Sequence, residues 1–201
     1  MRHKMHGNRE EGLMRRIQYN SPVVLTFALL SLAVLGLDKL TGGVSTKLCF
    51  ETYRAPLSDP LMYVRLFGHV LGHAGLAHYA GNMTLLLVIG PMLEEKYGSK
   101  SLLEMMIITA LASGIIHNVF FPGSALLGAS GLVFMMIILS SLGGAESGRI
   151  PLTFILVTVV YIGSEILQKD NGDNVSHITH IIGGICGASF GFISNHRRSY
   201  R

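Results

Sequence analysis

Ser130 stands in a four-residue stretch, Gly128, Ala129, Ser130 and Gly131, so its hydroxyl is flanked by residues with little or no side chain. It lies a few residues inside an apolar run, 125–142, that carries no charge. Two further apolar runs carry His78 with Asn82, and His180. An alcohol, an imidazole and an amide are the groups from which acyl transfer is assembled. Serine becomes a good nucleophile when an imidazole within hydrogen-bond reach takes its proton, which makes His180 the candidate base. The oxyanion that forms then needs donors, and His78, the Asn82 amide and the backbone N–H of Ser130 could supply them. Each group also has a structural reading. A serine in an apolar helix often bonds a carbonyl one turn back, and small residues there often serve close helix packing.

The elements that must position these groups are membrane helices. Of the 201 residues, 49% are hydrophobic and 14% charged, and the apolar residues come in blocks. That composition describes an integral membrane protein. Six runs, 22–40, 76–93, 102–121, 125–142, 151–167 and 175–193, approach the ~20 residues a helix needs to cross the hydrocarbon core. They lack period-2 alternation, which excludes a barrel. The first run is expected to remain as an anchor rather than be removed as a leader. Most of the 16 Lys and Arg fall on one side if the amino terminus is cytoplasmic, including the cluster from Arg2 to Arg16, Lys96, Lys100 and Arg197–Arg198. Both termini are therefore expected in the cytoplasm. The net charge of +4 is accounted for by these flanks and gives no reason to invoke nucleic acid. Cys49 and Cys186 fall in a loop and an apolar run, and are read as free thiols.

The expected order is a cytoplasmic tail over 1–21, a six-helix domain over 22–194 and a cytoplasmic tail over 195–201. The long connection after the first run, with Pro56, Pro60 and an apolar patch around Leu61, Val64 and Phe67, is expected to be partly helical and to lie in the outer interface. The stretch HVLGHAGLAHYAGN, 69–82, opens the second span. Helical spacing puts His78 and Asn82 on one face and His69 with His73 on another. His117 is expected at the interface, and Gly98 as a C-cap. The spacing of Gly183 and Gly187 favours a close helix contact. Spans two, four and six run in the same direction, with Asn82, Ser130 and His180 each about five or six residues in. At 1.5 Å per residue all three would sit roughly 8 to 10 Å below the outer surface.

The pattern HxxxHxxxxHxxxN at His69, His73, His78 and Asn82, GxSG at Gly128 to Gly131, and HxxGxxxG at His180, Gly183 and Gly187 resembles that of the rhomboid intramembrane serine proteases, specifically their compact six-helix bacterial form. The resemblance implies an all-α six-transmembrane bundle in the bacterial plasma membrane. It implies Ser130 as nucleophile, His180 as base, His78 and Asn82 as oxyanion donors, and an aromatic residue, here Phe134, packed against the base. Gly128, Gly131, Gly183 and Gly187 would support the site. It implies a serine endopeptidase that needs no cofactor or metal and cleaves membrane-protein substrates in or near their transmembrane segments, from a wet cavity open to the outside. Glu94 matches an acidic position with a structural role at the inner end of the second helix. Where the family often has Trp-Arg in the first external loop, this chain has Val64-Arg65 and no tryptophan, which leaves that loop's anchoring open.

Three other readings compete. A catalytically silent relative would ordinarily have lost the serine or the histidine. A metal-binding membrane protein could use the many histidines, but they lack a carboxylate or thiolate at matching depth, and HExxH is absent. The pair Glu94-Glu95 fits a solvated inner cap better than a second catalytic centre. His177 is a rival base without the glycine spacing that follows His180. Helices five and six are expected to gate substrate entry.

Overall fold

The computed structural model describes residues 18–142, 149–167 and 174–198. Its helices in chain order are α1 (Pro22–Thr41), a π-helical turn (Thr46–Phe50), α2 (Pro60–Gly68), α3 (Leu76–Tyr97), α4 (Ser99–Phe120), α5 (Ser130–Ser141), α6 (Leu152–Leu167) and α7 (Asn174–Arg198). Among the described residues α1, α3 and α4 are long and apolar enough to cross a membrane, and Ser130–Ser141 and Ile178–Ser194 are shorter apolar helices. The protein is thus an all-α, multi-pass membrane protein. The amino-terminal tail, most of the turn after α5 and most of the loop before α7 lie outside the described residues.

The first connection is held by Arg65. Asp59 caps α2 by accepting from the Leu61 N–H at 3.0 Å, and Pro60 begins the helix where its missing N–H costs nothing. Arg65, six residues on and 2% exposed, pairs with the Asp59 carboxylate. It also donates to the Leu48 carbonyl at 3.4 Å and lies over the Tyr53 ring at 4.4 Å. One guanidinium therefore ties α2 to the π-helical turn and to the segment after it. The connection is partly helical, as expected, and its fastening needs no tryptophan.

The second spanning helix begins at Leu76, where its apolar run begins, and the fourth begins later than its run suggests. His69 and His73 do not ride on the second spanning helix, because α3 starts only at Leu76. Gly68, Gly72 and Gly75 interrupt the chain there. Gly68 and Gly72 press directly on the carbonyls of Cys49 and Phe50, so no side chain fits at either position. The fourth run is likewise not helical from Ala125. Leu126 forms an antiparallel bridge with Thr52, its N–H and carbonyl each bonded at 2.8 Å. Gly128 has φ +122°, a conformation reserved in practice for glycine. The helix starts at Ser130.

Glu94 departs from the solvated cap expected of it. It is buried, and its carboxylate accepts from the Val23 and Val24 N–H groups at 3.0 Å each and from Ser99 Oγ at 2.7 Å. A negative charge at the start of α1 satisfies orphan donors and complements the helix dipole. Gly90 lies against Val24, and the Tyr79 hydroxyl donates to the Ala28 carbonyl at 3.1 Å, so α1 stays against α3 along its length. Gly98, with φ +83° and its N–H on the Glu94 carbonyl at 2.8 Å, turns α3 into α4.

The innermost helix is α5, which touches α3, α4, α6 and α7. Leu132, Met135, Met136 and Leu139 on it are fully buried against Leu86 of α3 and Leu102 and Met106 of α4. A core of Leu and Met around one short helix leaves the amino-terminal end of that helix as the place where polar side chains gather.

Candidate active site

Ser130 is the first residue of α5. At that position no helical turn precedes it, so the ordinary fate of a serine in an apolar helix, a bond to a carbonyl one turn back, does not apply. The segment that delivers it is fixed from outside. The Gly128 N–H bonds the His69 carbonyl at 2.9 Å, and the bridge to Thr52 holds Leu126.

His78 and Asn82 lie on one face of α3, as helical spacing requires, and both face Gly128. A β-carbon on Gly128 would stand 2.7 Å from His78 Cε1, 2.9 Å from His78 Nε2 and 3.9 Å from Asn82 Nδ2. Gly128 is therefore glycine for two reasons, its positive φ and the imidazole against it. The Ala74 N–H donates to His78 Nδ1 at 3.4 Å. A neutral imidazole with Nδ1 accepting carries its proton on Nε2, and Nε2 is the atom turned to Gly128. Asn82 is buried and its Nδ2 has no hydrogen-bond partner among the described residues. Two N–H donors thus converge beside the residue that precedes Ala129 and Ser130.

His180 comes to the same place on α7. Its ring lies 4.3 Å from that of Phe134 between centroids, with the planes tilted by 37°. Gly183, one turn on, rests on the Gly131 backbone without room for a β-carbon, and the Thr179 methyl would lie 3.0 Å from a β-carbon on Gly131. Gly187 packs in the same way on the Met135 carbonyl. The neighbour of Ser130 is thus clasped by residues on either side of His180. His78 and His180 are close enough for their charges to interact.

His69, His73 and His117 are engaged in the framework. His69, 1% exposed, donates from Nδ1 to the Arg65 carbonyl at 3.2 Å. His73 donates from Nδ1 to the Leu71 carbonyl at 3.1 Å and meets the His78 ring edge-on at 5.1 Å. Burial pushes both imidazoles down to about 4, so both are neutral at ordinary pH. His117 is not interfacial, as its sequence position suggested. It is 1% exposed, donates from Nε2 to the Ser124 carbonyl at 3.1 Å and stacks on Phe121. The side chains of His177 and Glu165 lie outside the described residues. Sequence reasoning missed Thr52, Asn118 and Thr179, for no local pattern announces a residue whose partner is 66 positions away, as Asn118 is from Thr52.

A family model described as the rhomboid domain matches residues 60–197, more than half of the chain, and the protein belongs to the rhomboid family. Rhomboid-related protein 1 of Caenorhabditis elegans is 27% identical over 139 residues, covering 64% of this chain and 39% of that protein. Rhomboid-related protein 2 of Mus musculus is 29% identical over 157 residues, covering 68% of this chain and 52% of the other. Rhomboid protease GlpG of Haemophilus influenzae is 25% identical over 175 residues, 77% of this chain and 91% of that protein. The chain thus spans about half or less of the two animal relatives and nearly all of the bacterial one.

Proposed function

We propose that the protein is an intramembrane serine endopeptidase in which Ser130 and His180 form the catalytic dyad. The observation that carries this reading is the crossing of α5 and α7 at Gly131 and Gly183, which keeps the residue after Ser130 and the one before His180 against each other. His180 takes the Ser130 Oγ proton as Oγ attacks the scissile carbonyl carbon. The resulting oxyanion accepts from His78 Nε2–H, from the Asn82 amide and from the Ser130 backbone N–H, three donors in place before charge develops. When the intermediate collapses, the C–N bond breaks and His180 hands its proton to the leaving amine. Water, deprotonated by His180, then attacks the acyl-enzyme and the cycle closes. Phe134 holds the His180 ring from one face, and Gly128 keeps the approach clear of side chains. The steps use protein groups and water alone.

The wider reading rests on the apolar runs, the Lys and Arg flanks and the likeness to bacterial rhomboid proteases. The six apolar runs all cross the membrane, the domain extends over 22–194, and the tails 1–21 and 195–201 are cytoplasmic, in the plasma membrane of a bacterium. The substrates are membrane proteins cut in or near a transmembrane segment, entering from the lipid past α6 and α7. The test is cleavage of a reconstituted single-span substrate. Wild type should cut it, Ser130→Ala and His180→Ala should not, and EDTA should have no effect. Cleavage that survives Ser130→Ala but is lost with EDTA would overturn the reading.

A further inference from the structure

Ser130 is set from two sides, by the packing of Gly131 on Gly183 and by the segment before it, residues 124–129, which has three polar attachments. His117 holds the Ser124 carbonyl at 3.1 Å, Thr52 holds both backbone groups of Leu126 at 2.8 Å, and the His69 carbonyl holds the Gly128 N–H at 2.9 Å. The middle attachment is unusual because Thr52 belongs to the long connection after α1, not to the packed helices. What makes it rigid is its side chain. Thr52 is completely buried, and its hydroxyl donates to Asn118 Oδ1 at 3.2 Å. Asn118 is itself 5% exposed and sits in the last turn of α4.

We propose that Thr52 and Asn118 are positioning residues for the nucleophile. The inference rests on the dyad reading above. The line of force runs from α4 through Asn118 to the Thr52 hydroxyl, through the Thr52 backbone to Leu126, and along four residues to Ser130. Gly128 lies between the His69 carbonyl and the His78 ring, so a shift at Leu126 has no slack in which to dissipate before it reaches Ser130. Displacement of a reacting atom by about an ångström can cost a large factor in rate without weakening substrate binding. The pair therefore acts on the chemical step, not on affinity.

The experiment compares wild type, Thr52→Val, Thr52→Ser and Asn118→Leu in proteoliposomes. It reads kcat and KM on a single-span substrate, the rate of fluorophosphonate labelling at Ser130, and Tm. Thr52→Val keeps the branched shape and removes only the hydroxyl. It should lower kcat and the labelling rate together by about tenfold with KM unchanged. Asn118→Leu should do the same, the double variant should be no worse than either alone, and Thr52→Ser should recover wild-type rates. If Thr52→Val does not fold, Asn118→Leu carries the comparison. Unchanged kcat in both variants, a loss confined to KM, or Thr52→Ser as impaired as Thr52→Val would overturn the inference while leaving the dyad untouched. A wild type that never labels at Ser130 would overturn both.

Discussion

Phe134 and His180 meet across the α5–α7 crossing with 4.3 Å between ring centroids and their planes tilted by 37°. Phe134 lies one helical turn after Ser130, so the imidazole is braced by the same helix that presents the hydroxyl. The bracing works only because Gly131 and Gly183 let the two backbones come close. The geometry of the site thus depends on what is missing from the glycines as much as on what the histidine and the serine carry.

Gly183 is the tightest point of that crossing, and its β-carbon would meet the Gly131 carbonyl oxygen and main chain. Backbone cannot yield as a side-chain tip can, so Gly183→Ala must push α7 away from α5. Overpacking of this kind costs about 1 to 3 kcal/mol. Thermal unfolding in detergent should show Tm lower by several degrees, and activity should fall further than stability because His180 moves with α7. Wild-type Tm and activity in Gly183→Ala would contradict the crossing.

Asn82 should behave in the opposite way. Its buried Nδ2 has no partner among the described residues, so Asn82→Ala removes a donor that none of them uses. Loss of one oxyanion donor typically costs about 10² to 10³ in kcat. Cleavage kinetics should show that loss with Tm unchanged or slightly raised. A large drop in Tm with kcat preserved would assign Asn82 to the framework instead.

Glu94 ties the start of α1 to α3 and α4 through bonds to Val23, Val24 and Ser99. Hydrogen bonds to a charged acceptor are each worth about 1.5 to 3 kcal/mol, and removing the carboxylate orphans buried N–H groups. Glu94→Ala should lower the detergent melting temperature markedly, Glu94→Gln less so, and the Ser130 labelling rate at low temperature should hold in both. Equal Tm in all three proteins would refute the buried cap.

Acid should weaken the fold in a defined window. His69 and His73, which precede α3 and face His117 and His78, are held at about 4 by burial, whereas an unfolded chain protonates near 6.5. Between these values the unfolded state binds more protons, so stability is complete above about pH 6.5 and declines as pH falls toward 4, by up to about 1.4 kcal/mol per unit for each group. Asp59, held below the usual carboxylate range by its bond to Arg65, loses its contribution only at still lower pH. Tm measured from pH 7 to 4.5 should fall in wild type and fall less in His69→Asn, which retains a donor toward the Arg65 carbonyl. Parallel curves for the two proteins would contradict the assignment.

Much of this was legible in the residues because membrane helices write themselves as apolar blocks, and three polar residues inside such blocks stand out. The same-face pairing of His78 and Asn82 and the close contact at Gly183 and Gly187 follow from helical spacing alone. What the pattern hid were boundaries and long-range partners. An apolar run reads the same whether helical or extended, so the bridge from Leu126 to Thr52 and the late start of α5 at Ser130 could not be seen. That late start also changes the depth count, since residues 125–129 do not rise as a helix does. The histidines at 69 and 73 looked like part of α3 because periodicity continues through Gly68 and Gly72, whose close contacts with the Cys49 and Phe50 carbonyls lie far off in sequence. Glu94 and His117 looked solvated or interfacial for want of any local sign of the N–H groups and the carbonyl that take them inside.

The most direct test of the central claim is to treat the reconstituted protein with a fluorophosphonate probe and map the modified residue by mass spectrometry. The account predicts a single adduct on Ser130 Oγ in the wild type, none in Ser130→Ala, and a rate of labelling reduced by orders of magnitude in His180→Ala. An adduct on another residue, or labelling at Ser130 that is indifferent to His180, would contradict it.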